Sequence, residues 1–345
     1  MRTACINISE SDRGGGIAVS SRLSYLTAML LSGGIGIFSA NTLAADADPS
    51  AVTVTERSIL DAIDARRDYV SEKVVNYSKR IDHFFGDERY FQENNESVIQ
   101  FDLTETMETG GNHSFLLAGK AKLDLPAAQR RFQLVLESDP EQKTTGEVTK
   151  DQPVVVKKDT VPSRYAASLR FEKKEESLWH LSSDAGINLQ IPLDPFVRVR
   201  GSYAIPFDKW RMKLTETVFW FNTIGAGETT QIDMERVLSA PVLFRSTSTA
   251  TCLKSTQSCD LRQDLTVFHT LNERTALLYQ ASVLGVNKPK LEETAYVLLM
   301  RYRYRLHKDW IFFEVIPQLN FPKTDSFKLN PMLLLRLELL FGGNI

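Results

Sequence analysis

Residues 294–306 read TAYVLLMRYRYRL, and with a period of two they separate into two faces. Val297, Leu299, Arg301, Arg303 and Arg305 fall on one face; Leu298, Met300, Tyr302, Tyr304 and Leu306 fall on the other. Successive side chains of a strand point to opposite sides. One side of this strand is therefore apolar throughout, and the other ends in three arginines. After a short turn at His307 and Lys308 the alternation resumes, with Ile311, Phe313, Val315 and Leu319 set against Phe312, Glu314, Gln318 and Asn320. It returns in Leu333, Leu335, Leu337, Leu339 and Phe341, set against Leu334, Arg336, Glu338 and Leu340. A water-soluble sheet with a covering layer could carry this pattern. A long series of such hairpins suits a transmembrane barrel, with apolar side chains toward lipid and polar ones inside.

Working back from that stretch, the pattern predicts about fourteen strands from Ser97 onward, hence an all-β, transmembrane antiparallel β-barrel with a short N-terminal α-helix. The first hairpin turns at Gly110, Gly111 and Asn112. A break at Ser239, Ala240 and Pro241 separates two strands, because proline cannot sit in a central ladder. Without that break the count is thirteen, which would place the two termini on opposite sides; it falls to twelve if the first hairpin stays outside. The longest connections, led by residues 139–163, all fall on one side, which matches the asymmetry of outer-membrane barrels.

The rest of the chain fits this setting. Of its 345 residues 24% are charged, with a net charge of −2, so no polyanion such as nucleic acid is indicated as a partner. Beyond residue 45 no run of eighteen apolar residues marks a transmembrane helix. Residues 1–45 read as a secretory signal peptide: Arg22, an apolar core from Leu23 to Phe38, then small residues and Thr42, Leu43 and Ala44. Residues 46–96 form a periplasmic helix and linker, and residues 97–345 the barrel.

In the N-terminal helix, Leu60, Ile63, Val70, Val74, Tyr77, Ile81 and Phe84 recur at spacings of three and four, interrupted by Arg67 and stopped by Gly86. Three readings stand: a helix packed on or below the barrel, a coiled coil that self-associates or binds a periplasmic partner through residues 53–86, or a lumen plug.

Certain longer stretches add a resemblance. Phe84 to Arg89 ahead of Asn95, Glu96 and Ser97 is one; Leu193 to Phe196 before the Arg198-x-Arg200 strand is another. With Leu214 to Phe221, Tyr302 to Trp310 and the Phe341-Gly342 ending, they resemble an uncharacterised family of Gram-negative outer-membrane barrel proteins over residues 80–342. The resemblance implies fold, outer-membrane location and insertion by the barrel-assembly machinery. It carries no catalytic residue.

The inward faces hold the candidate site. Arg301, Arg303 and Arg305 form a ladder, and a tight turn at His307 and Lys308 would set Arg301 opposite Glu314 and Arg303 opposite Phe312. Arg336, Arg198 and Arg200 add lumen cations, as do Lys120, Lys122, Arg131, Arg170, Arg245 and Arg274. Glu338, Asp102, Asp124, Glu137, Glu172, Asp233 and Glu235 oppose them. This is either a paired network that fills the barrel or a weakly anion-selective water path.

Cys252 and Cys259, in an exported chain, predict a disulfide. No metal or cofactor set is recognisable. The five histidines lie in no hydrolase motif, so no enzyme is expected. The leading reading is a small pore or passive channel with an arginine-rich lumen. A closed structural or docking barrel serving an envelope partner is its rival, and a soluble periplasmic β-protein is a third reading.

Overall fold

In the computed structural model, residues 76–85, 91, 97–125, 132–138, 165–173, 179–207, 209–308 and 310–342 are described. The expected leader, residues 53–75 of the expected helix, most of the linker and the 139–163 connection lie outside these residues. Arg131, one of the expected lumen cations, lies outside them too.

Fourteen strands follow in order: β1 (Val98–Glu108), β2 (His113–Asp124), β3 (Phe132–Ser138), β4 (Tyr165–Lys173), β5 (Trp179–Asn188), β6 (Asp194–Phe207) and β7 (Trp210–Phe221). Then come β8 (Gly225–Ser239), β9 (Val242–Leu253), β10 (Ser258–Asn272), β11 (Thr275–Val286), β12 (Glu292–His307), β13 (Ile311–Pro322) and β14 (Asn330–Gly342). Each pairs antiparallel with its chain neighbour, and β1 closes on β14 from Val98 opposite Gly342 to Glu108 opposite Met332. Closure leaves no free edge, which is what allows a sheet to cross hydrocarbon. The first hairpin is part of the wall, and β8 ends before Pro241, so the even count of fourteen stands and twelve does not.

The alternation read from the sequence sets the two faces. Along β13 and β14 every second side chain is buried, and the others look outward. Exposed Phe101, Leu103, Leu117, Leu169, Val199, Leu265 and Leu298 belong to an apolar belt around the barrel. The soluble periplasmic reading is thereby corrected: this face is the outermost surface of a closed barrel, and lipid is the solvent that suits it. Trp179, Trp210 and Trp310 stand at the strand ends beside the shorter connections. Trp179 lies 4.4 Å from Tyr203, and Trp310 lies 5.6 Å from Phe341, ring to ring. This is the interfacial girdle expected at a membrane boundary.

Glycine is required in the first turn and under an inward ring, among other places. Gly110 and Gly111 take φ of 100° and 79° in the β1–β2 turn, a region that L side chains avoid. Gly227 lies under the ring of inward-facing Phe219, where a Cβ would collide with the ring.

Residues 76–85 form a helix, α1. Its Ile81 and Phe85 are each 2% exposed and pack on Leu243, Phe268, Ala276, Leu278 and other inward side chains of the wall. The helix therefore lies inside the barrel, toward the end with the shorter connections. Packing on the outside or below the barrel does not describe these residues. Tyr77, Ile81 and Phe84, the end of the stripe that suggested self-association, contact the wall instead.

Candidate functional site

Around Arg303 the interior is filled by ions in contact. Arg303 lies on β12 opposite Glu314 of β13, and its Nη1 donates to Glu314 Oε1 at 2.6 Å. It reaches past β13 as well, with Nη1 and Nη2 donating to the two carboxylate oxygens of Glu338 on β14 at 3.1 and 2.7 Å. Arg336 approaches Glu314 Oε2 at 3.2 Å and Arg301 approaches it at 4.0 Å. Arg303 and Glu314 are both fully buried. The guanidinium also stacks 4.0 Å from the ring of Phe312, and Phe84 of α1 sits 5.9 Å away on the same group. Burying a guanidinium is tolerable only with such a set of acceptors.

The pairing corrects the expected register. Arg303, not Arg301, faces Glu314, and Arg305 faces Phe312. The connection between β12 and β13 takes in Trp310 as well as His307 and Lys308, and a bulge lies between Arg305 and His307. A slip of two residues preserves which face each side chain occupies, so the inside–outside reading survives the error. Arg305 lies at the barrel end, where its Nη2 donates to the Glu273 carbonyl. Arg274 is exposed in the β10–β11 turn and is not a lumen cation.

A second group holds α1. Arg245 of β9 donates through Nε to Glu235 Oε1 at 2.7 Å, and through Nη2 to Asp82 Oδ1 at 2.5 Å and Ser78 Oγ at 3.2 Å. Arg211 Nη1 adds a bond to Glu235 Oε2 at 3.3 Å. Tyr77 donates to Thr270 at 3.3 Å, and Phe85 packs edge-on to Phe268 at 5.5 Å. Phe91, in what reads as a polar linker, is buried against Val98, Val135, Phe312 and Leu340, and Lys122 Nζ donates to its carbonyl at 3.2 Å.

The opposite wall carries a third group. Asp184 of β5 accepts from Arg170 Nε at 2.6 Å and from Arg198 Nε at 2.8 Å, and Glu137 lies 3.6 Å from Arg198. Next to it Arg200 is only half-buried and donates to Thr217 Oγ1 at 3.3 Å. Along β7, β8 and β9 the inward positions turn to half-exposed hydroxyls: Thr215, Thr229, Thr247, Thr249 and Thr251. Thr229 and Thr251 share a hydrogen bond of 3.0 Å, and Thr247 donates to Asp233 at 2.6 Å. Buried Phe196, Phe219 and Phe221 cluster at the far ends of β6 and β7, with Phe196 and Phe221 stacked at 5.1 Å.

Comparison with known proteins gives the following. No family model matches the sequence, and no curated protein matches it. Among solved structures the chain is similar to the NanC porin, at 9% identity over 69% of this chain and 98% of that one, with a TM-score of 0.36. It is similar to the outer membrane channel DcaP of Acinetobacter baumannii at 7% identity over 71% and 96%, with a TM-score of 0.41. OprB of Pseudomonas putida follows at 8% identity over 74% and 97%, with a TM-score of 0.45.

The closed even-stranded barrel, its apolar belt and its aromatic girdle make this chain an outer-membrane β-barrel on its own residues. Cys252 and Cys259 face each other across the β9–β10 hairpin and form a disulfide. Among the described residues no group of three His, Cys, Asp or Glu side chains is placed to hold a metal ion. His113 meets Glu105 at 3.1 Å and His180 meets Glu172 at 3.0 Å, each on the face its strand position dictates.

Asp184 and Asp82 are among the buried acids that sequence reasoning passed over, with Asp194 and Asp264. Asp184 carries a signal, since it shares the inward face of β5 with Ser182. Asp82 carries none: its partner lies 163 positions away.

Proposed function

We propose that this protein is a passive outer-membrane channel for small polar solutes, closed in this conformation by its own helix α1. The observation that carries the reading is what fills the barrel. Eight strands enclose only enough space for side chains, whereas sixteen to eighteen leave an aqueous channel. Fourteen strands lie toward the wide end of that range. Here part of the filling comes from outside the sheet: Ile81 and Phe85 of α1 lie in one buried cluster with inward side chains of β9 to β14. Among the described residues α1 meets the wall through Asp82 on the Arg245 guanidinium, the Tyr77 hydroxyl, and packing by Ile81, Phe84 and Phe85, contacts of side chains only that a helix can release as a unit. The short-connection end, where α1 lies, is taken as periplasmic.

The half-exposed threonines of β7 to β9 would line the path, with Arg200 beside them. Departure of α1 uncovers Arg245 from Asp82 and Arg303 from Phe84. Arg303 keeps Glu314 and Glu338, but Asp82 leaves with α1 while Arg245 and Arg211 share Glu235, so the charge beside Arg200 becomes more positive and the open path favours anions.

The rival, a permanently closed barrel serving an envelope partner, draws support from the complete burial of Arg303, Glu314 and Glu338. Planar-bilayer recording separates the two. Asp82→Lys sets two cations against each other at the seat of α1 and should raise the open fraction at least tenfold over wild type. Pairing it with Arg245→Glu should restore closure. Silence in the wild type, the single variant and the pair alike would favour the closed barrel.

A further inference from the structure

The lipid face of this barrel is not uniform. Across β12 to β14 and β1 its central positions are apolar: Leu298, Met300, Val315, Leu335, Leu337 and Leu103. Across β7 to β10 the same band holds Glu216, Thr230, Ser246, Ser248 and Gln263. All five occupy outward positions. Glu216 alternates with buried Thr217 and Lys213, Thr230 with buried Asp233, Ser246 and Ser248 with buried Arg245, and Gln263 with buried Asp264. They lie well inside their strands, between Trp210 at one end and Trp220 at the other, so they are not headgroup residues.

They also bond to one another on that face. Thr230 Oγ1 donates to Glu216 Oε2 at 2.7 Å, Gln263 Nε2 donates to Ser246 Oγ at 2.9 Å, and Ser248 Oγ donates to Gln263 Oε1. Among the described residues no cation pairs with Glu216. A carboxylate and an amide facing hydrocarbon at mid-depth are costly, and residues of this kind normally face protein or water.

We infer that the outward face of β7 to β10 is an interface with a second copy of this chain in the membrane. The patch is complementary to itself. Its acceptor, Glu216, lies on β7, and its amide and hydroxyl donors lie on β9 and β10. A two-fold axis along the membrane normal, passing between β8 and β9, exchanges β7 with β10. It therefore sets Glu216 of each copy against Gln263 of the other, and Ser248 near the axis against β8 of the other, the isologous arrangement of a closed dimer.

The heights agree. The hydrogen-bonded row from Glu216 runs through Thr230 and Ala250 to Leu261. Rows climb toward the long-connection end from β7 to β10, by roughly 3 Å per strand at barrel tilt. Gln263 lies two residues back down β10 from Leu261, which returns it to within a few ångströms of the level of Glu216. Gly201 beside Glu216, and Ala250 between Thr230 and Leu261, let the two walls approach closely.

Cross-linking in the outer membrane tests this on the full chain. The thiols of Cys252 and Cys259 are already joined, so Ser248→Cys in a Cys5→Ser background supplies the one reactive thiol. With a short lipid-soluble bismaleimide it should convert most of the protein to a species of twice the chain mass. Leu335→Cys, outward on β14, should give at least tenfold less. Monomer alone from Ser248→Cys would overturn the interface, and an adduct of any other mass would assign the face to a different membrane protein and overturn the second copy as its occupant. As an independent measurement, Glu216→Leu with Gln263→Leu should migrate as a monomer in mild detergent where wild type migrates as a dimer. A dimer unchanged by both substitutions would also contradict the inference.

Discussion

Arg245 Nη2 donates to Asp82 Oδ1 at 2.5 Å, joining a strand of the wall to a helix that precedes the whole barrel in sequence. The same guanidinium holds Glu235 through Nε, so one side chain belongs both to the wall network and to the seat of the filler. Loss of α1 leaves Arg245 paired with the wall, and the barrel can remain folded when the helix departs. That separation of wall from filler makes reversible opening compatible with a stable fold.

The inside–outside assignment is tested by neighbours on β14. Leu337→Arg places a guanidinium on the lipid face, at a cost of about 2–4 kcal/mol near mid-depth. Arg336→Leu should cost far less, because Glu314 keeps Arg303 at 2.6 Å. Urea unfolding in lipid vesicles measures both; equal effects would refute the assignment.

Arg303 is the buried cation shared by two carboxylates. Arg303→Ala leaves Glu314 and Glu338 without their common donor and should destabilise the barrel by about 3–5 kcal/mol. Arg303→Lys keeps the charge but cannot fork between β13 and β14, so its loss should fall between wild type and alanine in the same titration.

The fourteen strands, their faces and most turns were legible because each depends on local alternation and on residues such as Gly110, Gly111 and Pro241. The lumen network was legible only in part. Period-two reading places Arg303, Glu314 and Glu338 on one inner wall, but their pairing depends on how many residues the β12–β13 connection consumes. The bulge beyond Arg305 changed that number without leaving a mark in composition. The seat of α1 was legible only as one of three readings, the lumen plug. A stripe made of Tyr77, Ile81 and Phe84 buries equally well against another helix or against a barrel wall, and only the closed sheet decides between them.

The Cys252–Cys259 link closes a short loop, for which chain entropy gives about 2.5 kcal/mol. β9 and β10 pair from Ser258 opposite Leu253 to His269 opposite Val242 by their own backbone hydrogen bonds, so breaking the link should leave that ladder in place. Reduction should leave the barrel's circular dichroism unchanged and lower its thermal midpoint by only a few degrees. Collapse of the sheet on reduction would contradict this.

Orientation is tested from outside the cell. The connection between β3 and β4 contains Lys143 and Lys157 and falls at the end away from α1. Trypsin added to intact cells should cut there. Cleavage only after the outer membrane is breached would reverse the assignment of the two ends.

The central claim is that α1 is the gate. Ile81 of α1 and Leu243 of β9 belong to one buried cluster, so Ile81→Cys with Leu243→Cys allows the helix to be tied to the wall by a short bismaleimide, which adds one thiol at each end. Single-channel recording of this protein in planar bilayers, before and after tethering, reads the gate directly. The untethered protein should show discrete openings, and open time should fall at least tenfold once the tether is in place. Openings of unchanged size and frequency with the helix tied down would contradict it.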